Sequence, residues 1–561
     1  MSIGADIVVR CLEREQVSLL FAYPGATAMS LHHALLSSDI RVIRPCHEQG
    51  GAFMADGYAR RTGEVGVCVA TSGPGATNLV TGITDAYADS IPTVFICCQV
   101  DRHLIGRNAF QETDIIGMTR PCVKHSYLLL DGQEIPAVIK DAFFLAKHGR
   151  PGPVVIDIPQ NVLQVEFEVE YPERPSARCL PEPEAFPKQV FDEVMWNLHR
   201  SRRPCIFAGG GVIAAGAAPQ LLQLAENFNI PVTTSLMGIG AFPENHPLAL
   251  KMSGMHGTYA ANMALHDCDF LLAIGVRFCN RVTGNMNNFA PGAKIVHLDI
   301  DPSEINKNIR ADWAIVGPLQ ETLEHFLERK FKLRSRDWLA QIQAWKQEHP
   351  LVCPASQAEE IHPQHLVSLL HELTKGRATL VTGVGQHQMW TAQFYNFHHP
   401  RQLLTSGGLG AMGFGLPAAI GAQLACPEEQ TILIDGDGSF QMNIQELATV
   451  FTTGIPLKII VVNNQRLGMV AQWEDKFYQG IHAFTDLSAP QLRQPYPDLA
   501  AIAAAYRLPA ERVTRQDDLE PALRNLLEAD GAALLEVMTA PQDLVMPMIP
   551  ADADATGAIF K

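Results

Sequence analysis

The sequence has no C-x-x-C pair and no long basic run, and its N-terminus has no unbroken apolar stretch. The 12 cysteines are scattered, with only Cys97 and Cys98 adjacent, so neither a zinc site nor a disulfide framework is suggested. Buried thiols in a reducing compartment are expected instead. A net charge of −16 without a basic cluster repels a phosphate backbone, which excludes nucleic acid as a partner and leaves small molecules. The opening MSIGADIVVRCLEREQVSLLFAYPG is interrupted by Arg10, Glu13, Arg14 and Glu15, the pattern of an amphipathic helix and not of a signal peptide or membrane span. The expectation is a cytoplasmic protein with no membrane partner. With 47% hydrophobic and only 18% charged residues, disorder is excluded as well.

What is present is length and rhythm. At 561 residues the chain exceeds one ordinary core and calls for about three or four domains, three being preferred. Two proline-rich stretches, YPERPSARCLPEPEAFP (171–187) and HPLVCPASQAEEIHP (349–363), read as linkers. They divide the chain into segments 1–170, 188–348 and 364–547. In each, strand-like runs alternate with helical ones: VGVCVAT, TVFICCQ and GPVVIDIP; PCIFAGGG, DFLLAIG and KIVHLDI; ATLVTG, TILIDG and LKIIVVN. That alternation predicts an α/β fold of three doubly wound parallel sheets.

In the third segment two apolar strands run directly into small polar residues, GDGS (436–439) and NNQR (463–466). Calcium is a poor reading of the first, because Phe440 stands where an EF-hand loop requires glycine. Taken singly, each segment is more readily a turn closing a buried strand. Together they place Asp437 and Asn464 at the carboxyl ends of two parallel strands, where open α/β sheets hold ligands. One charged and one neutral oxygen form a partial cage for Mg²⁺, which takes its remaining ligands from water and a phosphate.

This pairing of GDG with NN resembles the diphosphate-binding signature of thiamine diphosphate enzymes. The resemblance implies that Asp437, Asn464 and the Arg466 carbonyl bind the metal, and that Gly436, Asp437, Gly438 and Ser439 meet the cofactor diphosphate. It also assigns Val384, Gly385, Gln386 and His387 (VGQH) to the diphosphate. Gly410 would meet the aminopyrimidine ring, and Met412 would wedge the cofactor into its bent form. Gly408, Gly410 and Gly413 also spell G-x-G-x-x-G, a weak dinucleotide signal by itself. In RPCHEQGGAFMADGYAR, Glu48 stands between an apolar strand and a helix, where burial would keep it able to donate a proton. Alone it reads equally as a helix-terminal acid favoured by the dipole; in the family it is the glutamate that drives the aminopyrimidine relay. There Glu48 comes from one subunit and the diphosphate site from another, so a homo-oligomer, dimer or tetramer, with active sites at the subunit interface is implied.

The resemblance narrows, nearly end to end, to the acetolactate (acetohydroxyacid) synthase family, catalytic subunit. It is carried by AYPGAT, HEQGG, ATSGPGATNL, AFQET, GRPGPVVIDIP, GMHG, RFCNRVTG, GQHQMWTAQ and NNQRLGMVAQW. The implied reaction decarboxylates pyruvate and passes the two-carbon unit to a second 2-ketoacid, pyruvate or 2-ketobutyrate, in branched-chain amino acid synthesis. Arg281 matches the arginine that holds the acceptor carboxylate, a task suited to its planar fork. Trp473 matches the tryptophan associated with the larger acceptor, and Phe110, Gln111 and Met469 match residues lining the reaction space. FAD is also implied, at Gly209, Gly210, Gly211, Gly254, Met255, His256, Arg277, Asp299 and Arg150. For the glycines a tight turn is the plain alternative. Five positions depart from the family: Cys279-Asn280 replaces Asp-Asp, Pro318 an Asp, Gln160 a lysine and Ala26 a glycine. A flavin-free catabolic type, a related carboligase or decarboxylase with another donor, and an inactive binding partner of the same fold therefore stay as alternatives. The resemblance also leaves room for a separate regulatory subunit.

Overall fold

A computed structural model describes residues 1–176, 186–355, 359–489, 491–492 and 495–560. The central parts of both linkers, and the loop residues 490, 493 and 494, lie outside the described residues. Three six-stranded sheets carry the chain, and every strand pair in them is parallel. Their strands fall within 19–159, 204–316 and 379–538. The inner strands are buried along nearly their whole length, as the continuous apolar runs in the sequence require when helices cover both faces, while edge strands such as Arg41–Ile43 and Ala510–Val513 are partly exposed.

In the C-terminal sheet the spatial order is Leu403–Leu404, Thr379–Thr382, Thr431–Gly436, Lys458–Asn463, Ala533–Met538 and Ala510–Val513. The chain thus starts at Thr379–Thr382, adds one strand on one side, then returns to build the other. That reversal opens a crevice beyond the carboxyl ends of Thr379–Thr382 and Thr431–Gly436. The segments that follow these strands are VGQH and GDGS.

The first and third domains share a core. Helix Glu48–Thr62 lies against helix Gly415–Ala425 at backbone contact: a Cβ on Gly57 would stand 2.2 Å from the Ala418 carbonyl oxygen, and one on Gly421 would stand 2.0 Å from that of Met54. Phe53 meets Phe414 edge-on at 5.4 Å, and the Arg60 guanidinium covers the same ring at 5.0 Å. Beyond the third sheet, Gln472 Nε2 donates to the Val545 carbonyl and Ile549 N–H donates to that of Met255, tying the tail to the third and middle domains. Every described cysteine is a free thiol, and no helix among the described residues is long and apolar enough to cross a membrane.

Candidate active site

The strands ending in GDGS and NNQR are neighbours, with Gly436 paired to Val462. Asp437 therefore sits opposite the start of the second segment. Its buried carboxylate accepts from the backbone N–H groups of Gly438, Asp437 and Gln465, the last lying between Asn464 and Arg466. Oδ2 has no hydrogen-bond partner. Burial pushes the carboxyl up to about 7, more than the three N–H groups can offset. An enclosed carboxylate with a free oxygen is costly unless a cation joins it, so the residues fit a hard divalent ion. No cluster of His, Cys, Asp and Glu among the described residues offers a second metal site.

The Asn464 amide is oriented by a relay. Gln472 Nε2 donates to the Val545 carbonyl at 3.0 Å, and Gln386 Nε2 donates to the Asp543 carbonyl at 3.1 Å and to Gln472 Oε1 at 3.0 Å. A backbone carbonyl only accepts, so both amide orientations follow, and Gln386 Oε1 must receive Asn464 Nδ2, at 3.2 Å. Asn464 Oδ1 is left to accept the Arg466 N–H at 3.1 Å and has a second lone pair for a metal. Gln386, assigned to the diphosphate from sequence, thus also orients Asn464, a candidate metal ligand.

The other expected contacts converge here. A Cβ on Gly410 would lie 3.9 Å from Val384, one on Gly438 would lie 3.7 Å from Met412, and ones on Gly385 and Gly436 would meet the His387 ring. Gly410 has φ +73 and Gly385 φ +154, conformations that L side chains rarely adopt. Ser439 Oγ accepts from Gly413 N–H. Nearby, helix Gly468–Phe477 carries Met469, half-buried, and Trp473. The exposed Arg281 guanidinium lies over the Trp473 ring at 5.2 Å and donates to Met255 Sδ at 3.5 Å. The structure therefore unites two residues 192 positions apart that the sequence assigned to one pocket.

The first domain's residues form a separate group. Glu48 opens helix Glu48–Thr62, whose start is capped by His47 Nδ1 accepting from Gln49 N–H. The buried Glu446 of the third domain accepts from the N–H groups of Cys46 and His47 and fixes where that helix begins. Glu48 Oε2 accepts from Asn78 Nδ2 at 2.9 Å. In the single chain Glu48 is half-buried, less enclosed than its sequence context suggests, because its remaining side faces outside the chain. Gln111 adopts φ +60 against Gly73, where a Cβ would come within 2.8 Å of it, and Phe110 is 87% exposed. Among the described residues no hydrogen bond or ion pair joins Glu48, Phe110 or Gln111 to the C-terminal cluster.

The positions expected to hold FAD are scattered in role. A Cβ on Gly209 or Gly211 would strike Gly275 backbone, and one on Gly210 would press on Met237, so strand-to-helix packing accounts for the triple glycine. The Arg150 guanidinium is held by Asp301 and Glu304 at 3.1 and 2.7 Å. Asp299 Oδ1 accepts from Asp301 N–H, and the Arg277 carbonyl accepts from Asn308. Gly254 and Met255 lie against the Arg281 carbonyl; buried His256 keeps Nδ1 without a partner, and burial holds its ring down to about 4. Asn78, Glu446 and Gln472 were missed as positioning residues. Asn78, at least, lies inside ATSGPGATNL.

Comparison with known proteins agrees with this geometry. Residues 3–118, 191–326 and 383–537 match the N-terminal TPP binding, central and C-terminal TPP binding domains of thiamine pyrophosphate enzymes. The chain is 48% identical to acetolactate synthase 1, chloroplastic, of Zea mays, covering 100% of this chain and 88% of that protein. It is 47% identical to acetolactate synthase 1, chloroplastic, of Nicotiana tabacum (100% and 84%) and to acetolactate synthase, chloroplastic, of Arabidopsis thaliana (98% and 83%). Three parallel α/β domains, a metal-ready carboxylate at the third sheet's switch point and likeness along the whole length lead to one conclusion: the chain belongs to the acetolactate synthase family of thiamine diphosphate-dependent enzymes.

Proposed function

We propose that this chain, with thiamine diphosphate and Mg²⁺, decarboxylates pyruvate and joins the two-carbon unit to a second 2-ketoacid, pyruvate or 2-ketobutyrate, in branched-chain amino acid synthesis. The observation that carries this reading is the buried Asp437 carboxylate, with one oxygen free, beside an Asn464 amide turned oxygen-outward. Asp437 Oδ2, Asn464 Oδ1 and the Arg466 carbonyl would hold the ion. The bound cofactor would supply the electron sink for decarboxylation. Arg281 takes the acceptor carboxylate, and Trp473 orients its guanidinium and walls the pocket for the acceptor's alkyl group. Asn78 occupies Glu48 Oε2, so Oε1 is the atom that holds and releases a proton.

Because no hydrogen bond or ion pair among the described residues joins Glu48, Phe110 or Gln111 to their own chain's C-terminal cluster, the working unit is a homo-oligomer, dimer or tetramer, in which a second copy supplies them. Location in the cytoplasm accords with the free thiols. FAD would be a bound, non-reacting group near Gly254 to His256, and the purified protein should be yellow. A colourless preparation that is fully active without added FAD would assign the chain to the flavin-free type. The main reading is tested by supplying pyruvate alone and then with 2-ketobutyrate. Acetolactate and then acetohydroxybutyrate are expected; acetaldehyde as the sole product would overturn it.

A further inference from the structure

Arg60, on helix Glu48–Thr62, is buried among three carboxylates of the first domain. It donates through Nε to Asp56 and through Nη2 to Asp85 and Asp89 at 3.2 and 3.0 Å. Three acids on one guanidinium exceed what ion pairing requires, and the surplus is spent outside the domain. Arg60 Nη1 donates to the Thr405 carbonyl at 2.8 Å. Asp89 accepts from the Gly407 and Gly408 N–H groups at 2.9 and 2.7 Å. Asp85 Oδ1 accepts from Ser406 Oγ at 2.5 Å, and Ser406 Oγ in turn accepts from the N–H groups of Gly410 and Ala411 at 3.0 and 2.9 Å. Ser406 is fully buried, and Gln388 holds the Ser406 carbonyl from the opposite side. The backbone of 405–411 is thus fixed between two domains, and with it the left-handed Gly410.

We propose that Asp85 and Asp89, acting through Ser406 and the backbone of 407–408, are positioning residues that set the cofactor-contacting strap 405–411 of their own chain. This rests on the functional reading above. Under that reading Glu48 of the same domain serves the partner's centre. Each N-terminal domain therefore serves two centres, one through Glu48 and the other through Asp85 and Asp89.

Ser406→Ala removes one oxygen, leaves two half-buried N–H groups without their acceptor and creates little cavity, so it should fold. The holoenzyme is titrated with thiamine diphosphate at fixed Mg²⁺ and saturating pyruvate. Half-maximal activity should need about tenfold more cofactor, with KM for pyruvate nearly unchanged and the melting temperature of the cofactor-free protein lowered by no more than a few degrees. Asp85→Ala should raise the cofactor requirement in the same way but also lower the melting temperature, because it takes a partner from buried Arg60, and Asp85→Asn, which keeps an acceptor for Ser406, should recover most of the affinity. Mixing then tests which centre Asp85 serves. Glu48→Gln and Asp85→Ala chains, refolded together at low cofactor, form heterodimers with one intact centre, giving about a quarter of wild-type activity where each alone gives little. An unchanged cofactor requirement in Ser406→Ala, or no recovery on mixing, overturns the proposal. If the wild-type protein needs no thiamine diphosphate, the functional reading itself fails, and that outcome is distinct from both.

Discussion

Gly57→Ala probes the joint between the first and third domains. The added Cβ would stand 2.2 Å from the Ala418 carbonyl oxygen and 2.7 Å from the Ala418 carbonyl carbon, and Cβ contacts under 3.0 Å essentially never occur. The obstacle is helix backbone and cannot rotate away, so helices Glu48–Thr62 and Gly415–Ala425 must part by at least about 0.8 Å. Overpacking of this kind costs ~1–3 kcal/mol, and alanine's better helix propensity returns up to ~1 kcal/mol. The net loss is ~1–2 kcal/mol, an apparent melting shift of roughly 2–6 °C in a multidomain chain that does not unfold in two states. Glu48 begins the displaced helix, about 14 Å from Gly57, and moves with it. Misplacement near 1 Å at a reacting group lowers turnover by up to about a hundredfold. Thermal unfolding by circular dichroism and pyruvate consumption measure the two effects. Gly531→Ala, where nothing lies within 4 Å, is the control and should stay within ~0.5 kcal/mol of wild type. If Gly57→Ala melts and turns over like the control, the helices are not in backbone contact and the reasoning fails.

Three further outcomes are expected. Burial raises Asp437 from 3.8 to about 7, so the metal-free fold binds one proton more than the unfolded chain within that window, and this group's contribution to stability falls as pH rises through it. Mg²⁺ must displace the proton, so its affinity should drop about tenfold per pH unit below 7; calorimetric affinities equal at pH 6 and pH 8 would contradict this. Trp473→Ala removes the ring beneath Arg281 and should weaken acceptor binding by about two- to fivefold, read as KM for 2-ketobutyrate with cofactor affinity unaffected. Glu48→Gln should nearly abolish turnover while the melting temperature holds, because the amide preserves shape; a variant keeping most of its activity would remove Glu48 from its assigned role.

The three-sheet architecture was legible because buried parallel strands announce themselves as short apolar runs ending in turn formers. That Asp437 and Asn464 would lie side by side was legible for the same reason, since each immediately follows one such run and the two strands are neighbours. What links them was not. Gln386 turns Asn464 from 78 residues away, and Asp85 reaches Ser406 across 321 residues, so neither partnership leaves a local spacing to find. Glu48 was placed correctly at a helix start, but the burial expected there is only partial in the single chain. The triple glycine at 209–211 carries two readings at once, since close approach of Gly275 asks for small residues as a phosphate would.

The Gln386 and Gln472 amides give the chain's closing stretch an influence its distance from the catalytic motifs would not suggest. Asp543 and Val545 complete the set of bonds that aims Asn464, so a protease trimming the protein just past Ala540 should release the Asn464 amide without cutting any residue of the proposed metal site. Tags or fusions placed at that end deserve a generous spacer, and a loss of activity during storage is worth checking by intact mass before the cofactor is blamed.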